Sequence, residues 1–227
     1  MNPQQSPKTL RAKAFIFDLD GTLIDTTPLV ERHWRNFALE HGLDGDKILE
    51  TSHGRRTIET IGLWVPEKAT PEIANQYERD LCLETDGLVI LLGVKNLLAK
   101  IPPKKLGICT GGTQYHAETR LSQCGIEKPD ILTGGDQVVR GKPDPEGYLM
   151  TAKKLGMAPE DCIVFEDSPA GVRAARAAGM NCVACSTTHS VEQLKDANAN
   201  CVVEYLTDVD VKSLPDGSFE ITVNKTL

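Results

Sequence analysis

The sequence has no surplus of basic charge: 25 lysines and arginines stand against 32 aspartates and glutamates, a net charge of −7. That balance argues against nucleic acid or an anionic membrane as the main partner. No apolar run approaches the roughly 20 residues that a bilayer-spanning helix needs. Met1 to Lys13 is polar, with two prolines, and lacks the apolar core of a secretory signal. An even cysteine framework is missing too. The seven cysteines (82, 109, 124, 162, 182, 185 and 201) are an odd set, several of them inside apolar runs. They read as buried thiols of a reducing compartment. Cys182 and Cys185 have redox-motif spacing but lie in a strand-like run, not at a helix start. Nor does an apolar stripe beyond the core demand a protein partner. The expectation is a cytoplasmic monomer.

What the sequence does have is one informative stretch, Phe15-Ile16-Phe17-Asp18-Leu19-Asp20-Gly21-Thr22-Leu23. Ala14 to Phe17 reads as a strand buried on both faces. It ends in two carboxylates two positions apart, which point the same way on an extended chain, and then in a glycine that can turn there. Paired acids at the end of a buried strand repel unless compensated, and a hard cation such as Mg²⁺ is the usual compensation.

The 227 residues, 40% apolar and a quarter charged, can hold one sizeable core and a small extra domain. Thr27-Pro28 opens a helix carrying Val30, Trp34 and Phe37 to Gly42. The stretch from Gly45 to Ile61 reads as helical with a polar break at Ser52 to Arg56. A further helix starts at Thr70-Pro71. No strand is expected between Asp25 and Asp86. Beyond this helical block, strands and helices alternate. Strands are expected at Leu106 to Cys109, Ile131-Leu132, Cys162 to Phe165, Asn181 to Cys185 and Cys201 to Val203. The helices between them are expected from about Val94, Tyr115, Asp144, Pro169 and Ser190. Repeated β–α units imply a parallel sheet covered by helices, a Rossmann-like α/β fold. About 90 residues separate Phe17 from Leu106, far more than the roughly 30 of a βαβ unit. The surplus is an all-helical insertion at the carboxyl ends of the strands, placed to act as a lid. The expected division is a core of 1–25 and 93–227, with a cap at 26–92. The tail, with Asp216-Gly217 before Ser218 to Val223, reads as a hairpin or edge strand.

Four polar clusters follow strands or sit between strand and helix: Asp18/Asp20, Thr110-Gly111-Gly112, Lys142 and Glu166/Asp167. Together they supply what phosphoryl transfer to a carboxylate requires. Asp18 is the candidate nucleophile. Mg²⁺ held by Asp18 and Asp167, with Glu166 nearby, would neutralise the repulsion between carboxylate and phosphate. Thr110 and the amides after it can donate to phosphoryl oxygens, the two glycines allow close approach, and Lys142 supplies a positive point charge. Asp20 can serve as general acid to the leaving alcohol, then as base for water.

This set resembles the haloacid dehalogenase superfamily, in its phosphatase branch with a small helical cap. The motifs are Asp18-Leu-Asp20-Gly-Thr22, Thr110-Gly111, Lys142-Pro143 and Glu166-Asp167-Ser-Pro-Ala-Gly171. The resemblance implies Mg²⁺ as cofactor, the backbone carbonyl of Asp20 as a further metal ligand and a small phosphorylated metabolite as substrate. It also implies phosphatase or phosphomutase chemistry rather than dehalogenation, because of Asp20. Ser52-His53-Gly54-Arg55-Arg56-Thr57 and Thr188-His189-Ser190-Val-Glu-Gln-Leu are similar to fungal glycerol-3-phosphate and 2-deoxyglucose-6-phosphate phosphatases.

Arg55 and Arg56 are the cap candidates for reaching substrate, since guanidinium suits phosphate and sugar hydroxyls. His33, His41 and His116 are expected on helix surfaces, and Trp34 and Phe37 in cap packing. The leading expectation is an Mg²⁺-dependent phosphatase of a small sugar or polyol phosphate, with a sugar phosphomutase of β-phosphoglucomutase type as the rival enzyme. A signalling receiver domain shares the acidic pocket, but it is about half this length and has no helical insertion. A catalytically silent scaffold is the remaining alternative.

Overall fold

The computed structural model describes residues 7–227; the start of the polar N-terminal stretch and of the expected core segment lies outside them. From the N-terminus, β1 (Lys8–Ala12) leads into β2 (Ala14–Phe17) and a two-residue β3 (Ile24–Asp25). Four helices follow: α1 (Thr27–His41), α2 (Gly45–Ser52), α3 (Thr57–Trp64) and α4 (Pro71–Leu83). Then come β4 (Val89–Ile90), α5 (Val94–Leu98), β5 (Leu106–Cys109), α6 (Gln114–Gln123), β6 (Ile131–Thr133) and α7 (Glu146–Lys154). The chain continues through β7 (Cys162–Glu166), α8 (Pro169–Ala177), β8 (Asn181–Cys185), α9 (Val191–Asp196) and β9 (Cys201–Val203). It closes with β10 (Val209–Ser213) and β11 (Phe219–Val223).

Six strands form a parallel sheet in the order β6-β5-β2-β7-β8-β9. Every residue of β2 is buried, because both faces of the sheet are covered. Its alternation divides the core in two. Phe15 and Phe17 face Leu97, Ala117, Leu121 and the tail, whereas Ala14 and Ile16 face Tyr148, Val172, Ala175 and Leu194. Phe17 stacks on Phe165 of the neighbouring strand, with centroids 4.6 Å apart and planes within 9°. Burial of rings this size dominates the apolar free energy of such a core, at roughly 25 cal/mol per Å² removed from water.

The tail proves to be structural. β10 and β11 form the expected hairpin, but β11 also pairs antiparallel with β1, giving a second sheet of order β1-β11-β10. Phe219 meets Phe15 edge-on at 5.0 Å, so this sheet closes one face of the core. β1 was not expected as a strand. Its Lys-Thr-Leu-Arg-Ala pattern is mostly exposed and is fixed by pairing, not by apolar periodicity.

Helices α1 to α4 carry their own apolar cluster around Trp34, Phe37, Ile48 and Ile61. This insertion is tied to the core by an antiparallel β3–β4 ribbon that the all-helical expectation did not include. Helix α1 opens at Thr27-Pro28, as expected. The structure puts the cap at Thr26, whose side chain makes no capping bond; Asp25 Oδ1 accepts the Thr27 amide instead, at 2.9 Å. All seven cysteines are free, and six are buried. Among the described residues, no helix is long and apolar enough to cross a membrane.

Candidate active site

The site lies at the carboxyl edge of the parallel sheet. β2 delivers Asp18, whose amide still bonds Phe165 O at 2.9 Å, so the nucleophile candidate is part of the sheet's rigid end. Gly21 then turns at φ 84°, and a Cβ there would lie 2.4 Å from Asp167 Oδ2. Only glycine permits both the turn and that approach. β5 delivers Thr110, held by its amide to Thr133 O at 3.0 Å, and β7 delivers Glu166 and Asp167.

Lys142 joins these strand ends. Its ammonium is 6% exposed as a residue, donates to Glu166 Oε1 at 2.6 Å and makes a direct ion pair with Asp18 Oδ1. Burial alone would lower the lysine's proton affinity, but Asp18 and Glu166 outweigh it and hold the amine charged, well above the usual range. Glu166 is saturated. Its Oε1 accepts from Lys142 and the Tyr148 hydroxyl (2.8 Å), and its Oε2 from the amides of Asp167 and Ser168 and the Ser168 hydroxyl. Here it anchors the lysine. Gly171 allows this, because a Cβ at that position would fall 1.6 Å from Glu166 Oε1.

Asp18, Glu166 and Asp167 bring carboxylate oxygens within 4.8 Å of one another, all of them buried. Lys142 is paired to two of the three, and Asp167 is met by the hydroxyls of Thr22 (3.4 Å) and Thr188. One ammonium against three buried carboxylates leaves two negative charges unbalanced. Burial, with the other carboxylates adding to it, therefore drives Asp167 well above the usual carboxyl range, and burial raises Asp18 in the same direction. A dication would remove that excess, and the oxygen-only donor set is the kind Mg²⁺ prefers. The residues fit such an ion, with Asp18 and Asp167 the side chains whose oxygens are least engaged.

Asp20 is half-buried. Its Oδ1 accepts from Thr26 Oγ1 at 2.9 Å and lies 3.0 Å from His116 Nε2, while Oδ2 has a longer contact of 3.4 Å with Thr110 Oγ1. Burial would raise its pKa, but His116 and the hydroxyl bond from Thr26 outweigh that and bring it down to about 2. His116 was expected on a helix surface. It is buried, and burial's downward pull on its pKa is overcome by Asp20, which takes it up to about 10.

Between the cap helices and this edge lies a cleft of about 70 Å³, open to solvent. Asp18, Asp20 and Thr110 form its floor; Trp34, Ser52, His53, Arg55 and Tyr77 are on its walls. The two arginines part company. Arg55 lines the cleft, whereas Arg56 turns away and donates through Nη1 to Gly135 O (3.2 Å) and Val138 O (2.6 Å), with Nη2 3.0 Å from Glu59. Gly111 and Gly112 border the cleft, but what crowds them is protein. A Cβ on Gly111 would meet the Arg55 carbonyl at 2.9 Å, and one on Gly112 the His116 ring at 2.9 Å. His33 is partly buried edge-on between Trp34 and Tyr77.

Thr22, Thr26, Tyr148, Thr188 and His116 were not among the expected site residues. Helix α6 begins at Gln114 under a Thr113 N-cap, one residue before the expected start. That start puts His116 in the first turn, over the strand edge.

The chain matches the sequence model for haloacid dehalogenase-like hydrolases over residues 12–179. It is 35% identical to hexitol phosphatase A of Escherichia coli, over 92% of this chain and 98% of that protein. It is 31% identical to glycerol-1-phosphate phosphohydrolase 2 of Saccharomyces cerevisiae, over 87% of this chain and 84% of the relative, in line with the fungal resemblance. Among solved structures, a β-phosphoglucomutase from Clostridium difficile superposes with a TM-score of 0.73 at 29% identity, covering 86% of this chain and 92% of that one.

Proposed function

The chain belongs to the haloacid dehalogenase-like hydrolases, and we propose that within that family it is an Mg²⁺-dependent phosphatase of a small sugar or polyol phosphate, working through a phosphorylated Asp18. The observation that carries this reading is the buried set of Asp18, Lys142 and Asp167, with Asp20 two residues from the nucleophile on the floor of the cleft. Bound Mg²⁺ would supply positive charge to the phosphoryl oxygens and to the Asp18 carboxylate.

The protein's own residues do the rest. Asp18 attacks phosphorus, the ester P–O bond breaks, and the alkoxide takes a proton from Asp20. Water then attacks the phosphoryl group as Asp20 takes back a proton. The bond from phosphorus to Asp18 breaks, and inorganic phosphate leaves. Without substrate, Asp20 is held as a carboxylate, the form the second half needs. A phosphate dianion beside it raises its proton affinity and loads it for the first. Lys142 pulls Asp18 back toward the ionised form, against the burial that raises its pKa, and holds one of its oxygens in place.

The relatives named above point to polyol and sugar phosphates, and one feature of the cleft favours the same class. Ser52 Oγ is buried in the wall without a hydrogen-bond partner. Buried hydroxyls are rarely left unpaired, and a substrate hydroxyl would pair this one. The test is phosphate release with Mg²⁺ over glycerol-3-phosphate, 2-deoxyglucose-6-phosphate, hexitol phosphates and glucose 1- and 6-phosphates. Release from one or two polyol or sugar esters is expected. Interconversion of the glucose phosphates without release would make the protein a mutase.

A further inference from the structure

We propose that His116 is the positioning residue for Asp20: it fixes carboxylate oxygen Oδ1 and leaves Oδ2 to exchange the proton with the reacting ester. This rests on the phosphatase reading. Two close partners, Thr26 Oγ1 at 2.9 Å and His116 Nε2 at 3.0 Å, converge on Oδ1, and Oδ2 has only the 3.4 Å contact with Thr110. A carboxylate held by one oxygen on two fixed donors keeps its other oxygen at a defined place, which proton transfer in a transition state requires.

The imidazole is itself held from two sides. On the core side, the backbone amide of His116 donates to the Thr113 hydroxyl at 3.2 Å and fixes the residue's backbone, and the ring lies over Gly112, where a Cβ would come within 2.9 Å of Cδ2. The glycine is thus explained by room for the histidine. On the cap side, Cys82 Sγ of α4 stands 3.6 Å from Nδ1. That end of α4 is fastened to α6: the fully buried Arg120 donates to Leu81 O (2.8 Å) and Glu84 O (2.7 Å), and Gln123 Nε2 donates to Cys82 O (2.9 Å). Both ring nitrogens are therefore engaged, one by the acid–base residue and one by the cap.

A histidine that only fills space and a histidine that aims Asp20 predict different kinetics. Asparagine at this position places its amide nitrogen near where Nδ1 was, and glutamine places it near Nε2. Phenyl and p-nitrophenyl phosphate have nearly the same shape, but phenolate needs the acid's proton far more than p-nitrophenolate does. The value of kcat/KM covers the step in which the alcohol departs. His116→Asn is expected to lower kcat/KM for phenyl phosphate about 10- to 100-fold and for p-nitrophenyl phosphate less than about 3-fold, since general acid catalysis is worth ~10²–10⁴. His116→Gln is expected to recover most of the loss. Equal losses on the two esters, or glutamine no better than asparagine, overturn the proposal. If the wild-type protein releases phosphate from no ester, the phosphatase reading fails instead. The positioning claim is then decided by crystal structures: an Asp20 carboxylate rotated in His116→Asn upholds it, and an unmoved one overturns it.

Discussion

Glu166 holds Lys142 by a 2.6 Å ion pair, and the same ammonium is paired with Asp18. The saturated carboxylate at the end of β7 therefore positions the charge that faces the nucleophile at the end of β2. Removing the lysine leaves Asp18 and Glu166 buried without a cation. Lys142→Met is expected to cost about 3–5 kcal/mol of stability and to lower turnover by more than about 10³-fold. Denaturant unfolding beside an activity assay checks this. An active, stable Lys142→Met protein would remove the lysine from the account.

The unbalanced carboxylates predict a thermal response to metal. At a hundredfold excess over Kd, a ligand specific for the folded state adds about 2.7 kcal/mol. For a chain of this size that is roughly 5–10 °C in Tm. Mg²⁺ is expected to give this rise in the wild type. Asp167→Asn should raise the metal-free Tm, because it relieves a buried like charge, and should abolish most of the Mg²⁺ increment. Differential scanning calorimetry with and without Mg²⁺ reads both effects.

Arg55 and Arg56 are expected to behave differently. Arg56 bonds two core carbonyls, and its partner Glu59 accepts the Gly141 amide at 2.8 Å, so the pair staples cap to core. Arg56→Ala should cost about 1–3 kcal/mol and should raise KM alike for p-nitrophenyl phosphate and for the preferred sugar ester. Arg55→Ala should leave stability within about 0.5 kcal/mol and raise KM about 10-fold for the sugar ester alone, the worth of one charge-assisted bond. The reverse pattern would exchange their roles.

Much of this was legible in the sequence, for a local reason. Asp18, Thr110, Glu166 and Asp167 each follow a short apolar strand, so strand assignment fixes their common edge. The fold class and all six strands of the parallel sheet follow from that pattern. What was not legible depends on contacts across the chain. β1 exists through pairing with β11, some two hundred residues later. Arg55 and Arg56 are adjacent residues of one type, and they diverge because the loop at Gly135 to Val138 offers carbonyls to Arg56. His116 looks like any polar residue of α6 until Asp20 and Cys82 are placed on either side of it.

Stability should fall in mild acid through His53. Burial, with the neighbouring His189 acting in the same direction, lowers its pKa from 6.5 to about 4. The folded protein therefore binds fewer protons than the unfolded chain between those values. The histidine's contribution is fully present above about 6.5 and is lost as pH falls toward 4, at no more than ~1.4 kcal/mol per pH unit. Urea unfolding at pH 7 and pH 5 should show the loss, and His53→Gln should flatten it. An unchanged slope would assign the loss to other groups.

The most direct test of the central claim is a search for phosphate on Asp18. The protein with Mg²⁺ is mixed with a radiolabelled phosphomonoester that it turns over, quenched in acid within milliseconds, and digested. The account predicts a hydroxylamine-labile label on the peptide containing Asp18 and neither label nor turnover in Asp18→Asn. Steady phosphate release by the Asp18→Asn protein, or turnover by the wild type with no label at any quench time, would contradict it.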